Sequence, residues 1–194
     1  MSAQPQALAV SPPQNYYSEK YKDRIPKAAY YELRVIFKLR YMGLYDCDYT
    51  AGWHMTTKGQ YFKGPHVTGF GDRFDLYSPF KGLWFEVSAT DYSFEHSKKR
   101  YGIAKIGILP GKIDHAAKFG ILDRLVFVSV NHNEGLNGEI RFMPAAHVPQ
   151  YPKGQFAANE GDYYLTDWCN WWDDLDLRSV LDLDSAEQKE EGNQ

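Results

Sequence analysis

Two cysteines, Cys47 and Cys169, are all that this chain of 194 residues holds. So few thiols cannot build a disulfide framework and point to a reducing, cytoplasmic setting. No run approaches the ~20 consecutive apolar residues of a membrane helix, so no membrane partner is expected. The stretch Met1–Gln14 has Pro5, Pro12 and Pro13 but no basic region and no sustained apolar run, and does not read as a signal peptide. The six histidines are scattered singly, none at i+4 from another and none near a cysteine at ligand spacing, which argues against zinc. Gly69-x-Gly71 precedes a strand pattern instead of opening a helix, so no phosphate-cradling loop is read there. There is no internal repeat.

What is present is core material. The chain is 43% hydrophobic and 16% aromatic, enough for one domain with appendages. The net charge of −3 hides a polarity. From Glu160 onward there are eleven acidic and two basic residues, a balance of −9. That leaves fourteen of the 25 acidic and twenty of the 22 basic residues to positions 1–159, a balance of +6. A basic body suits a polyanion, and an acidic tail can shield it or simply aid solubility. Composition divides the chain into a disordered arm at 1–15, an α/β core at 16–158 and an acidic, Trp-rich appendage at 159–194.

Along the chain, a helix opens near Pro26, where a missing N–H costs nothing, and stops at Gly43. At about 100° per residue, Ala28, Val35, Ile36, Leu39 and Met42 form one apolar stripe with Glu32 inside it. A carboxylate there must be paired, bind something, or sit at the stripe's edge. A strand follows at Arg73–Tyr77, then a Ser-Pro-Phe-Lys-Gly turn and a second strand, Leu83–Ala89. Phe94–Gly107 reads as a helix, and Lys112–Phe119 as one or two further turns. Arg124–Val130 is the most apolar strand, and Glu139–Met143 its hairpin partner. Residues 144–160, with three prolines, read as an irregular connection. The tail has Tyr163, Tyr164, Trp168, Trp171 and Trp172 and then an amphipathic Leu175/Leu177/Val180/Leu181 segment, which reads as a helix packing back on the sheet. This order predicts a central mixed β-sheet of three to five strands flanked by helices.

Chemistry concentrates at Asp75 and Glu86. If the intervening segment is a hairpin centred between Phe80 and Lys81, residues whose numbers sum to 161 lie opposite each other, as Asp75 and Glu86 do. Carboxylates at the ~5 Å of a cross-strand pair repel unless a proton or cation lies between them. A hard divalent cation such as Mg²⁺ takes such ligands. On the second strand Glu86 and Ser88 share one face, Phe85 and Val87 the other.

This series of a helix with an inward Glu32, a strand Asp75, Glu86-x-(polar) eleven residues on, a helix carrying Lys98, Lys99 and Arg100, and an apolar strand resembles the PD-(D/E)xK nuclease superfamily over roughly residues 26–143. The resemblance implies a restriction-endonuclease-like or Holliday-junction-resolvase-like core. It also implies Mg²⁺ or Mn²⁺ held by Asp75, Glu86 and the Val87 carbonyl, with Glu32 supporting the metal or its water. The expected activity is endonucleolytic cleavage of nucleic acid, with DNA the expected substrate.

The chain departs from the pattern at Ser88, where the superfamily has lysine. Either a lysine comes from elsewhere, with Lys98 and Lys99 on the next helix the first candidates, or the site binds without cleaving. The alternative function is therefore a non-catalytic nucleic-acid- or protein-binding module on a nuclease-like scaffold. The Trp-rich tail could then dock a second copy or a protein partner. The bland readings stay beside these: solvated strand carboxylates, a Glu32 paired to a nearby cation, a solvated Lys98-Lys99-Arg100 face, buried cysteines, and tryptophans that simply pack.

Overall fold

In the computed structural model, residues 25–50, 53–55, 61–63, 74–90, 93–131, 139–155 and 161–181 are described. The expected N-terminal arm, the 132–138 turn and the end of the acidic tail lie outside them. The elements in chain order are α1 (Ile25–Tyr41), β1 (Asp48–Tyr49), β2 (Trp53–Met55), β3 (Tyr61–Lys63), β4 (Leu76–Ser78) and β5 (Leu83–Thr90). They continue with α2 (Phe94–Tyr101), β6 (Lys105–Ile108), α3 (Pro110–Lys118), β7 (Leu125–Asn131), β8 (Glu139–Pro144), β9 (Lys153–Gln155), β10 (Asp162–Asp167) and α4 (Asp174–Leu181).

The main sheet has five strands in the order β1-β4-β5-β7-β8. Only β5 and β7 run parallel; the other pairs are antiparallel. Every residue of β7 is buried, as a run of Leu, Val and Phe predicts for a strand covered on both faces. One face packs Phe85, Val126, Val128 and Phe142 against Val35, Ile36 and Leu39 of α1 and Leu177 of α4. The other packs Trp84, Phe127 and Met143 against Phe94, Ile113, Ala116 and a small sheet, β6-β10-β9, that contributes Ile106, Ile108 and Tyr164. The result is the expected mixed α/β architecture with a central sheet flanked by helices.

Two local expectations are corrected, and one strand is added that was not read. The helix expected over Phe94–Gly107 ends at Tyr101, because Gly102 adopts a left-handed conformation (φ 79°) and its N–H donates to the Lys98 carbonyl. The chain beyond it alternates and becomes β6. The 144–160 connection holds a 3₁₀ segment, Ala145–Gln150, and then β9. The tail carries the expected helix as α4, with Leu177 buried against the sheet, and before it a strand that was not read, β10, which pairs with both β6 and β9. Trp168 and Trp171 are buried in the core, and the Trp171 Nε1–H donates to Thr166 Oγ1 at 2.8 Å. Trp172 and Phe142 exchange backbone hydrogen bonds of 2.8 and 2.9 Å, which ties the tail to β8.

Candidate active site on strand β5

The β4–β5 turn is the one read from Pro79–Gly82. Gly82 takes a left-handed φ of 64°, and its N–H donates to the Pro79 carbonyl at 3.2 Å. The register is also the expected one: Leu76 faces Phe85, Tyr77 faces Trp84 and Ser78 faces Leu83. It breaks at Asp75. The Asp75 N–H donates to Phe85 O at 3.0 Å, so Asp75 and Leu76 share one partner in the manner of a β-bulge. Asp75 is therefore not directly opposite Glu86, and the strand starts one residue after it. The bulge turns its carboxylate along the ladder, where Oδ2 accepts the Val87 N–H at 2.9 Å. On the other side the Thr50 N–H donates to Asp75 O at 3.0 Å, and the Thr50 hydroxyl bonds to Phe74 O. Asp75 is held from both flanks.

Glu86 projects to the face of Phe127 and Trp84, and its Oε1 meets Lys112 Nζ at 2.7 Å. Lys112 comes from the first turn of α3 and also stands 5.7 Å from the Phe74 ring centroid. Both side chains of this pair are mostly withdrawn from solvent, which makes the contact firmer than a surface ion pair. Because backbone N–H and C=O of one residue point to the same edge of an extended strand, the Val87 carbonyl points toward the Asp75 side. Two carboxylates and a carbonyl are hard oxygen donors of the type Mg²⁺ or Mn²⁺ takes, so these residues fit the ion that the resemblance implies. Among the described residues no group of three or more His, Cys, Asp and Glu side chains is assembled for a metal, so backbone and water would complete such a site.

The other expected site residues are placed as follows. Ser88 is exposed and lies beside Ser129 of β7, its hydroxyl 3.4 Å from Val128 O. Glu32 is buried within the α1 stripe and not at its solvent edge. Its neighbours on that stripe, Val35, Ile36 and Leu39, pack in the cluster that holds Phe85, on the face of the sheet opposite Glu86. Lys98 and Lys99 are exposed on α2. Lys98 lines a groove of about 430 Å³ with Glu95, Glu139, Arg141 and Trp168, and neither Asp75 nor Glu86 lines it. Cys47 is buried but Cys169 is exposed, against the expectation that both are core residues.

Sequence reasoning missed Lys112, which is distant in sequence and meets Glu86 only through the packing of α3. It also did not extend the polar face of Glu86 and Ser88 to Thr90 and to Ser129 of β7. Thr90 Oγ1 and Ser129 Oγ are buried without a hydrogen-bond partner among the described residues, and the ladder runs on from Ser129 to Arg141. Buried hydroxyls normally find a partner, so such a strip suits water or a ligand oxygen. The alternation of polar residues at Glu86, Ser88 and Thr90 was the available signal.

A model of a viral/archaeal nuclease family matches residues 57–178, more than half of the chain. The uncharacterized protein D-244 of Sulfolobus spindle-shape virus 1 is 24% identical over 161 residues, covering 74% of this chain and 64% of that protein. The chain thus spans less than two thirds of that relative's length. The solved structure of D212, described as a nuclease from a fusselovirus, is similar with a TM-score of 0.51 at 24% identity, over 85% of this chain and 93% of that one. That likeness concerns the fold. By the extent of the family match, the chain belongs to the viral/archaeal nuclease family.

Proposed function

We propose that the chain is a metal-dependent nuclease of the PD-(D/E)xK type that hydrolyses phosphodiester bonds of nucleic acid, with DNA the expected substrate. The observation that carries this reading is the convergence of the Asp75 carboxylate, the Glu86 carboxylate and the Lys112 ammonium on one stretch of β5. Asp75, Glu86 and the Val87 carbonyl would hold Mg²⁺ or Mn²⁺. That ion would lower the pKa of a bound water and offset charge developing on the phosphate. Lys112 supplies the positive charge that Ser88 cannot. It is fixed beside Glu86 by the packing of Ile113 and Ala116, so it is pre-oriented before substrate arrives. Thr90 and Ser129 offer hydroxyl groups to the same face.

A second reading, a binding module without cleavage, is favoured by Ser88 at the motif lysine's position. The two separate by calorimetric Mn²⁺ titration and by measured binding to DNA and RNA forms. The Asp75→Asn variant is suited to this, because its amide oxygen still accepts from Val87 N–H while the charge is gone. The nuclease reading expects Mn²⁺ binding in the wild type and at least a tenfold loss in Asp75→Asn. Wild-type protein that binds nucleic acid but no divalent cation would establish the second reading.

A further inference from the structure

The sheet face that carries Glu86 continues as polar rows across the strands. The parallel register sets Ser88 beside Ser129, and the antiparallel one sets Ser129 beside Arg141. The next row along is Thr90, Asn131 and Glu139. From the strand spacing of about 4.8 Å and the rise of about 3.3 Å per residue, Arg141 stands about 12 Å from Glu86 between Cα atoms. Ser88 is exposed, so the row reaches solvent beside Glu86. At its other end the row enters the groove of about 430 Å³ beside α2, which Arg141 and Glu139 line together with Phe94, Glu95, Lys98 and Trp168. Two acidic and two basic side chains cancel there. A phosphate drawn into the groove would give up water without meeting a net counter-charge. A nucleobase is neutral, flat and edged with hydrogen-bond donors and acceptors, and it matches such a groove.

Arg141 is held in a way that suits a base. Its Nε–H donates to Glu139 Oε1 at 2.6 Å, its Nη1 donates to Trp168 O at 3.3 Å, and the guanidinium lies 5.2 Å from the Trp168 ring centroid. Trp168 is itself buried, with its ring 4.6 Å from that of Phe94. The guanidinium plane is therefore fixed on a rigid support. A fixed Arg plane offers a base a stacking surface, and the adjoining Glu139 carboxylate offers an acceptor to the N–H groups of its edge.

We propose, on the reading of β5 as the nuclease centre, that this groove takes an unpaired base flanking the scissile phosphodiester. The base stacks on the Arg141 guanidinium and donates to Glu139, so that these two positioning residues set where the strand lies on β5. Lys98, exposed on α2, is left for the sugar-phosphate backbone.

Cys169 reports on the groove, because it lines it and is exposed while Cys47 is buried. The test measures the rate of Cys169 alkylation by iodoacetamide with a single-stranded DNA oligonucleotide and with an abasic oligonucleotide of the same length. Fluorescence anisotropy gives the affinity for each. Both are read in EDTA, so a chain that never cuts can still show base contact, and an active nuclease can still lack it. Intact DNA is expected to slow alkylation at least tenfold and to bind at least tenfold more tightly than abasic DNA. Arg141→Lys keeps the charge but loses the plane, and is expected to remove both differences with an unchanged circular dichroism spectrum. If Arg141→Lys fails to fold, Cys169→Phe fills the groove from an exposed position and is expected to remove the affinity difference. Equal protection by the abasic oligonucleotide, protection by neither, or a base-dependent affinity that survives either substitution overturns the proposal.

Discussion

Individual residues divide into those whose role follows from neighbours in sequence and those set by distant contacts. Glu32 belongs to the first kind: its place inside the apolar α1 stripe was legible from periodicity, and it is buried there. The register that brings Asp75 near Glu86 is also local, because a Pro-to-Gly turn with a left-handed Gly82 fixes it. Gly82→Ala is expected to lose about 1–2 kcal/mol in denaturant titration, the cost of placing a Cβ in left-handed geometry. The bulge at Asp75 was not legible, since nothing in its composition distinguishes a paired from a doubled position. Lys112 was illegible for a different reason: only the packing of α3 brings it to β5.

The thiols make a separate test at this scale. Burial, with Asp46 adding to it, pushes the Cys47 pKa up to about 12. Since the thiolate is the nucleophile, Cys47 is inert at neutral pH and at pH 8, and its reactivity would appear only far above that. One thiol per chain, the exposed Cys169, is expected to label in native protein and two in denaturant. Two rapid labels in the native state would contradict the burial of Cys47.

At the scale of elements, long patterns were legible and interruptions were not. The α1 stripe, the β4–β5 hairpin, the apolar β7 and its pairing with β8 follow from periodicity and turn residues. The loss was β6, hidden because the Phe94–Tyr101 helix pattern runs without a proline into a segment that Gly102 in fact ends. With β6 unseen, β10 had no partner and was not read as a strand, whereas the amphipathic segment after it was read as the helix that is α4. The tryptophans show how far the tail is built into the fold. Trp168 packs at 4.6 Å from the Phe94 ring centroid, stacks on Trp171 and carries the Arg141 guanidinium at 5.2 Å. Trp168→Ala is expected to destabilise by about 3–5 kcal/mol, as removal of a large buried aromatic does. Leu175→Ala, exposed on α4, is expected within about 0.5 kcal/mol of wild type. Equal effects at the two positions would mean that the tail is not part of the cooperative unit. The acidic residues at the start of α4 also have a local use. Asp173 Oδ1 accepts the Leu175 and Asp176 N–H groups at 2.9 and 3.0 Å, capping the helix.

For the whole molecule, the sheet is a platform with different work on each side. Helices α1 and α4 seal one face, and α2, α3 and the small sheet cover the other, where Glu86, Lys112 and the hydroxyls of Thr90 and Ser129, without a partner among the described residues, lie. No helix among the described residues is long and apolar enough to cross a membrane. The charge polarity along the chain is compatible with a polyanionic substrate, and the groove beside α2 is one surface on which contact with it can be tested. There Lys98 and Arg141 are offset by Glu95 and Glu139, so the groove is close to neutral and fits positioning better than charge neutralisation. Lys98→Ala and Lys99→Ala are accordingly expected to weaken nucleic-acid binding modestly, with a salt dependence reduced by about one phosphate contact each, and to leave the cleavage rate at saturation unchanged.

The account turns on whether the β5 carboxylates and Lys112 act together on a phosphodiester. Single-turnover cleavage of end-labelled DNA at saturating enzyme, with Mg²⁺ or Mn²⁺, tests this directly on wild type, Glu86→Ala and Lys112→Ala. The account predicts metal-dependent cleavage by the wild type, none above background in Glu86→Ala, and a rate lowered about 10²-fold in Lys112→Ala with binding retained. Wild-type rates in either variant, or a wild type that cuts neither linear, branched nor single-stranded DNA with any divalent cation, would contradict it.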